Sequence, residues 1–260
     1  MTKKNPFGKF FIFSVLAFTY IPIMSLVAFS FNSGKSLTRW TGFSLEWYVK
    51  LFESREIMRA VMITFLVAII STFISTIIGT FAAISLTKLR KTLRELALSA
   101  NNIPIVNPEI VTAIAFFVLF GTFAIDRGLL TMILAHIAFS TPYVVIAVYP
   151  KVKSLDPNIA DAAYDLGATP AQALFKVILP QIKVAIIAGA AIAFTMSFDD
   201  FVISYFAVSG SAIKNISIYL YTLKRGVEPT INALSTIIVL VIGIKITHDY
   251  IKNKKMKVED

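Results

Sequence analysis

The sequence predicts an all-α membrane protein with six transmembrane helices, and three observations predict it. Of 260 residues, 57% are apolar and only 15% are charged, against about 25% charged in a soluble domain. The apolar residues gather in runs close to the ~20 residues that cross a bilayer core. The basic residues fall between those runs, and unevenly. A mean hydropathy of +0.76 excludes disorder, which needs low hydrophobicity. The absence of cysteine excludes disulfide frameworks, thiolate nucleophiles and cysteine-held metals.

The first span, Phe10–Phe31, contains no charge. Its apolar run is longer than a signal-peptide core and no A-x-A site follows, so it is expected to stay as an anchor. The second, Ile57–Leu86, carries only Arg59. The third, Leu96–Ile125, is interrupted by Pro104, Asn107, Pro108 and Glu109. The fourth is Leu129–Tyr149, the fifth Val184–Phe206 with Asp199 and Asp200 inside it, and the sixth Ile231–Ile251 with Lys245 near its end. With the N-terminus inside, 16 of the 25 Lys and Arg residues fall on the inner side and 9 on the outer. That bias predicts a multi-pass membrane protein with both termini in the cytoplasm. The net charge of +10 therefore reads mainly as topology, and membrane lipid is an expected partner. No basic face with interleaved aromatics lies outside the spans, so nucleic acid is not an expected partner.

Between the first two spans, Ser44 is positioned to cap a helix over Leu45–Phe52, with Leu45, Tyr48, Val49 and Phe52 on one stripe. Trp47 beside them has two readings, a headgroup-level aromatic or a residue facing a substrate. The segment Ser209–Pro229 reads as a surface loop with a short amphipathic stretch.

The inner segment 151–183 reads as two short helices. Asp156 is the expected cap and Pro157 the first-turn residue of one that stops at Gly167. Thr169 and Pro170 begin the next, expected to end near Leu179-Pro180. Such a unit either packs on the bundle or forms a knob that another protein holds.

Within it, Asp161-Ala162-Ala163 is followed by three residues, Gly167, nine residues, and Val177-Ile178-Leu179-Pro180. This resembles the EAA loop of the membrane subunits of bacterial ABC importers, E-A-A, three residues, Gly, nine residues, I-x-L-P. Asp161 stands where that pattern has Glu, and Val177 where it has Ile. Further stretches, Glu46-Trp47-Tyr48, Asn107-Pro108-Glu109-Ile110-Val111, Pro142–Val145 and Ser197–Asp200, are similar to the spermidine/putrescine permeases of PotC type. The resemblance implies a type I ABC-importer permease bundle in a bacterial plasma membrane. It implies a second permease subunit, a heterodimer, two cytoplasmic ATPase subunits, and an extracytoplasmic polyamine-binding protein. It also implies that Asp161, Ala162, Ala163, Asp165, Leu166, Gly167, Ala168 and Pro180 contact the ATPase.

The residues limit the chemistry. A phosphate-cradling loop needs G-x-x-x-x-G-K-[ST]. Gly34-Lys35-Ser36 has Phe29 where the first glycine belongs. This chain is thus expected to be no enzyme and to bind no cofactor or metal, with ATP and Mg²⁺ on the partner ATPase. Asp199 and Asp200 lie in the outer half of the fifth span, where a carboxylate faces a water-filled path or a partner. Ser197, Asp200 and Ser204 share a stripe suited to line such a path. The candidate substrate path comprises Asp199, Asp200, Glu109, Ser197, Trp47 and Tyr205: acids for ammonium groups and aromatic faces for cation–π contact. The competing readings for the aspartates are pairing with a cation of the partner subunit and a place at the water interface, and for Glu109 ordinary helix-start chemistry. His136 reads as a packed, hydrogen-bonded residue more readily than as a proton relay. The rival functions are an ABC permease for another small solute and a proton-coupled carrier.

Overall fold

The computed structural model describes residues 6–36, 38–223 and 229–259. These form α1 (Pro6–Ser30), α2 (Glu46–Glu53), α3 (Arg55–Lys88), α4 (Lys91–Val106), α5 (Glu109–Thr122) and α6 (Leu129–Lys153). After them come α7 (Ile159–Asp165), α8 (Pro170–Gln172), α9 (Leu179–Phe198), α10 (Val202–Ala207), α11 (Ile216–Thr222) and α12 (Pro229–Glu259). No strand occurs among the described residues. Of the basic residues used for orientation, Lys3, Lys4, Lys224 and Arg225 lie outside them, as does part of the Ser209–Pro229 loop.

Among the described residues four helices are long and apolar enough to span a bilayer: Phe7–Ser30, Arg55–Lys88, Leu129–Lys153 and Pro170–Phe198. A fifth is reached only by joining α4 and α5, which meet at 102°. The third span is thus interrupted, as the Pro104, Asn107, Pro108 and Glu109 positions suggested, and the break falls at Asn107-Pro108 and not at Pro104, which lies inside α4. Pro108 cannot donate to the helical ladder and pushes Asn107 into extended backbone, ψ 143°. The apolar part of α12, Pro229–Lys245, is shorter, and the sixth span rests on it.

The chain divides into two compact units. One comprises the residues up to Met58 and from Thr222 onward, with α12 packed on α1 and α2. Its first loop is pinned by Asn32. The Asn32 side-chain amide donates to the carbonyls of Ser36 (3.0 Å) and Arg39 (2.9 Å). Its oxygen accepts from the Thr41 N–H (2.8 Å) and hydroxyl (2.9 Å). The Asn32 carbonyl accepts the Trp47 indole N–H at 2.6 Å. That anchor rotates α2 away from the expected stripe. Trp47 and Leu51 are buried, whereas Leu45, Val49 and Phe52 are exposed. Ser44 still accepts a hydrogen bond at the helix start, from Glu46 N–H, although the helix begins one residue later than expected.

The other unit is Arg59–Tyr221. α9 packs along α6, and α10 sits between α5 and α6. One apolar cluster gathers Val67, Phe120, Met132, Phe139 and Ile203; a second gathers Ile84, Val144, Val148 and Ile182. Glycine sets the approach of three helices at Val144. A Cβ on Gly79 of α3 would lie 2.7 Å from the Val144 Cβ, and one on Gly189 of α9 would lie 3.2 Å from its Cγ1. Lipid gives helices no hydrophobic drive to associate, so close backbone packing of this kind supplies the attraction.

The 151–183 loop differs from expectation at both ends. Asp156 does not cap α7. Its carboxylate accepts from Asn158 N–H at 2.9 Å, and the helix starts after Asn158. Nor does the second helix stop at Leu179-Pro180. α8 runs through a π-helical turn, Ala173–Ile178, straight into α9. The wider turn absorbs a proline that would otherwise clash with the preceding turn and leave a carbonyl unpaired.

Candidate functional site

The fifth span breaks at its two aspartates. α9 ends at Phe198, Asp199 terminates it, and α10 starts at Val202. The helix N-terminus of α10 needs acceptors for its orphan N–H groups, and Asp200 supplies them. One carboxylate oxygen accepts from Ile203 N–H (3.1 Å), the other from Ser204 N–H (2.7 Å). The second oxygen also lies 3.3 Å from His136 Nε2 of α6, and both side chains are fully enclosed. His136 Nδ1 is 2.7 Å from Ser197 Oγ and Nε2 is 2.9 Å from Ser204 Oγ. A proton on Nε2 donates to this carboxylate–hydroxyl pair and leaves Nδ1 to accept from Ser197. Asn215 closes the set: its amide donates to the Asp200 carbonyl (3.2 Å) and Ser204 Oγ (2.8 Å). Ser71 of α3 adds a hydroxyl 3.0 Å from Ser197.

The stripe Ser197, Asp200, Ser204 therefore exists, but it faces His136 and all three residues are buried. Within its own chain Asp200 has a partner, the imidazole of His136. A buried acid is costly unless hydrogen-bonded, and here the chain itself satisfies it. His136 is packed and hydrogen-bonded, as its place in an apolar span suggested.

Asp199 points the other way and is exposed. Glu109, the first residue of α5, is exposed too. Its carboxyl is close enough to Asp200 and Asp199 to interact with them electrostatically. The bend at Pro108 thus brings the acid of the third span to the acids of the fifth. Tyr205 is 38% exposed and packs on Phe201 (5.5 Å) and Tyr221 (5.8 Å). Trp47 is enclosed and belongs to the other unit, so it presents no open face. Sequence reasoning did not single out Asn215 or Tyr221 as site residues. Asn215 sits in a mixed segment where a polar residue carries no signal, and Tyr221 joins the patch only through the turn before α11.

The second feature is the tip of the 151–183 loop. Ala168 N–H bonds the Ala163 carbonyl (3.0 Å) and Gly167 N–H the Tyr164 carbonyl (2.8 Å), a Schellman closure. It requires Gly167 at φ +80°, a left-handed backbone natural only to glycine. Thr169 then caps α8, accepting from Gln172 N–H, while the Gln172 side chain accepts from Thr169 N–H. Ala163 is buried, and Asp161, Ala162, Asp165 and Pro180 are exposed. Leu166 projects with 90% of its surface open.

Residues 75–257 match the family described as the binding-protein-dependent transport system inner membrane component. The chain belongs to that family. It is a multi-pass membrane protein, a transport permease and not an enzyme. It is 36% identical over 249 residues to the putrescine transport system permease protein PotI of Escherichia coli (strain K12), covering 93% of this chain and 88% of that protein. It is 35% identical over 231 residues to the spermidine/putrescine transport system permease protein PotC of Haemophilus influenzae, covering 88% and 90%. Its fold is similar to a chain of the crystal structure of a bacterial ABC transporter involved in the import of the acidic polysaccharide alginate. There the TM-score is 0.67 at 14% identity, over 97% of this chain and 99% of that one. The family assignment carries the binding-protein-dependent system; the fold is that of an importer permease.

Proposed function

We propose that this permease is one membrane subunit of an ATP-driven importer that passes putrescine and spermidine into the cell. The observation that carries the reading is a single helical segment, Pro170–Phe198. It joins the exposed loop tip at one end to Asp199 and Asp200 at the other. At 1.5 Å per residue its 29 residues span about 43 Å, enough to cross the membrane as one lever.

The loop tip is the docking face for a cytoplasmic ATPase. Leu166 and Tyr164 are the apolar anchors of a helix-in-groove contact, and Asp161 and Asp165 are its polar rim. ATP and Mg²⁺ act on that partner, two copies of which serve this chain and a second, non-identical permease subunit. Both termini are cytoplasmic, following the basic bias, and an external polyamine-binding protein delivers the solute. Movement of the loop tilts the lever and opens the path alternately to each side.

At the far end, Glu109 and Asp199 present open carboxylates to an ammonium group, and Tyr205 offers an aromatic face. Asp200 and Ser197 hold the break in shape instead of touching solute. The relatives' names favour a polyamine, and the acids agree with a cation. The test is co-purification in mild detergent followed by uptake into vesicles. An ATPase that co-purifies, and spermidine uptake that needs ATP, are the expected results. Accumulation of spermidine by this chain alone, without nucleotide, overturns the reading.

A further inference from the structure

We infer that the loop-side ends of α3, α4 and α6 form a binding site for the phosphate of an anionic phospholipid. A cavity of about 320 Å³ lies there. Lys88 of α3, Arg94 of α4 and Lys153 of α6 line it together with one acid, Asp156. Asp156 is already engaged by the Asn158 N–H. Among the described residues none of the three cations forms an ion pair.

Three cations converging on one cavity with a single acid repel one another unless an anion joins them. Lys88 and Lys153 stand in the last turns of their helices, where the carbonyl ends already favour a positive charge. Arg94 is in the opening turn of α4, where the helix dipole opposes it. Its place needs a different reason, and a phosphodiester gives one, because a guanidinium fork matches two phosphate oxygens. Apart from Thr87 the rest of the wall is apolar: Ile84 and Val152 are each almost fully buried and suit a glycerol backbone. Cationic rim, apolar wall and position at the ends of spanning helices together describe a headgroup site.

The cavity wall also includes Pro157 and Ile159, at the root of the loop that carries the ATPase contact. An occupied site braces that root. ATP-driven uptake then depends on anionic lipid, and this consequence alone rests on the proposed function.

The binding is tested on the full chain purified with its co-purifying subunits, in vesicles of phosphatidylcholine with or without phosphatidylglycerol. Native mass spectrometry reads the retained lipid. The wild type should keep phosphatidylglycerol in preference to phosphatidylcholine. Lys88→Gln, Arg94→Gln and Lys153→Gln should each weaken that retention about fivefold. Lys35→Gln, Arg39→Gln and Arg59→Gln, exposed cations elsewhere, should not. Undiminished retention by the combined cavity variant overturns the site. Glycerol phosphate held as tightly as the lipid makes the occupant a soluble phosphate and overturns the lipid assignment. So does a cross-link from position 88 to an ATPase subunit with no lipid retained. Should the combined variant not assemble, the wild type decides: its melting temperature should rise with phosphatidylglycerol and not with phosphatidylcholine, and no rise counts against the site. Lipid retention needs no polyamine, so its failure is separable from failure of the transport reading.

Discussion

The break at Asp199–Asp200 and the tip at Leu166 are the two ends of one helical segment, and they have opposite characters. At the break, polar groups are buried and every one finds a partner within the chain: Asp200, His136, Ser197, Ser204 and Asn215 form a closed set. At the tip, an apolar side chain stands in the open with nothing on it. The difference teaches where each end gets its stability. The break is completed by tertiary structure. The tip is locally complete in its backbone, through Gly167 and Thr169, and open on its surface, where we propose that the ATPase docks.

The comparison is broken most severely at the tip by Gly167→Asp. A side chain at φ +80° costs about 1–2 kcal/mol locally and stands in the proposed contact. ATP-coupled spermidine uptake should disappear while the chain still inserts, as measured by transport and by membrane fractionation. Uptake at the wild-type rate would remove the docking role.

At the break the two acids should separate. Asp200→Ala leaves two backbone N–H groups without their acceptor and takes from His136 Nε2 its carboxylate neighbour, so about 3 kcal/mol or more of stability should go, read as a lower melting temperature in detergent. Asp199→Asn should leave melting unchanged and raise the KM for spermidine. Equal melting losses in the two variants would contradict the division of roles.

A test in the helix packing at Val144, which the lever meets through Gly189, is Gly79→Ala of α3. The new methyl group lands 2.7 Å from the Val144 Cβ, and overpacking of this kind costs ~1–3 kcal/mol. A lower melting temperature is expected, partly rescued by Val144→Ala in the same chain. The smallest effect on fold is Leu166→Ser. A residue 90% exposed contributes nothing to the core, so melting should stay within ~0.5 kcal/mol of wild type. ATPase co-purification should fall.

Local chemistry is legible in the amino-acid sequence. Gly167 as a left-handed stop, Thr169-Pro170 as a helix start and the loop spacing follow from turn and cap preferences that act within a few residues. The direction of Trp47 is not legible, because its indole is claimed by Asn32 fifteen positions away. Nor is the continuity of the helix through Pro180, because a proline signals a stop unless the turn before it widens.

The amino-acid sequence by itself determined the solvent, the long apolar segments and the caps and stops of the loop, since hydropathy and backbone preference are properties of short stretches. Only the tertiary structure decided which aspartate faces outward, that the third span bends to bring Glu109 to the same place, and that His136 satisfies Asp200. Those outcomes depend on residues far apart in the chain, and the helix breaks between Phe198 and Val202, so the neighbours Asp199 and Asp200 receive opposite surroundings.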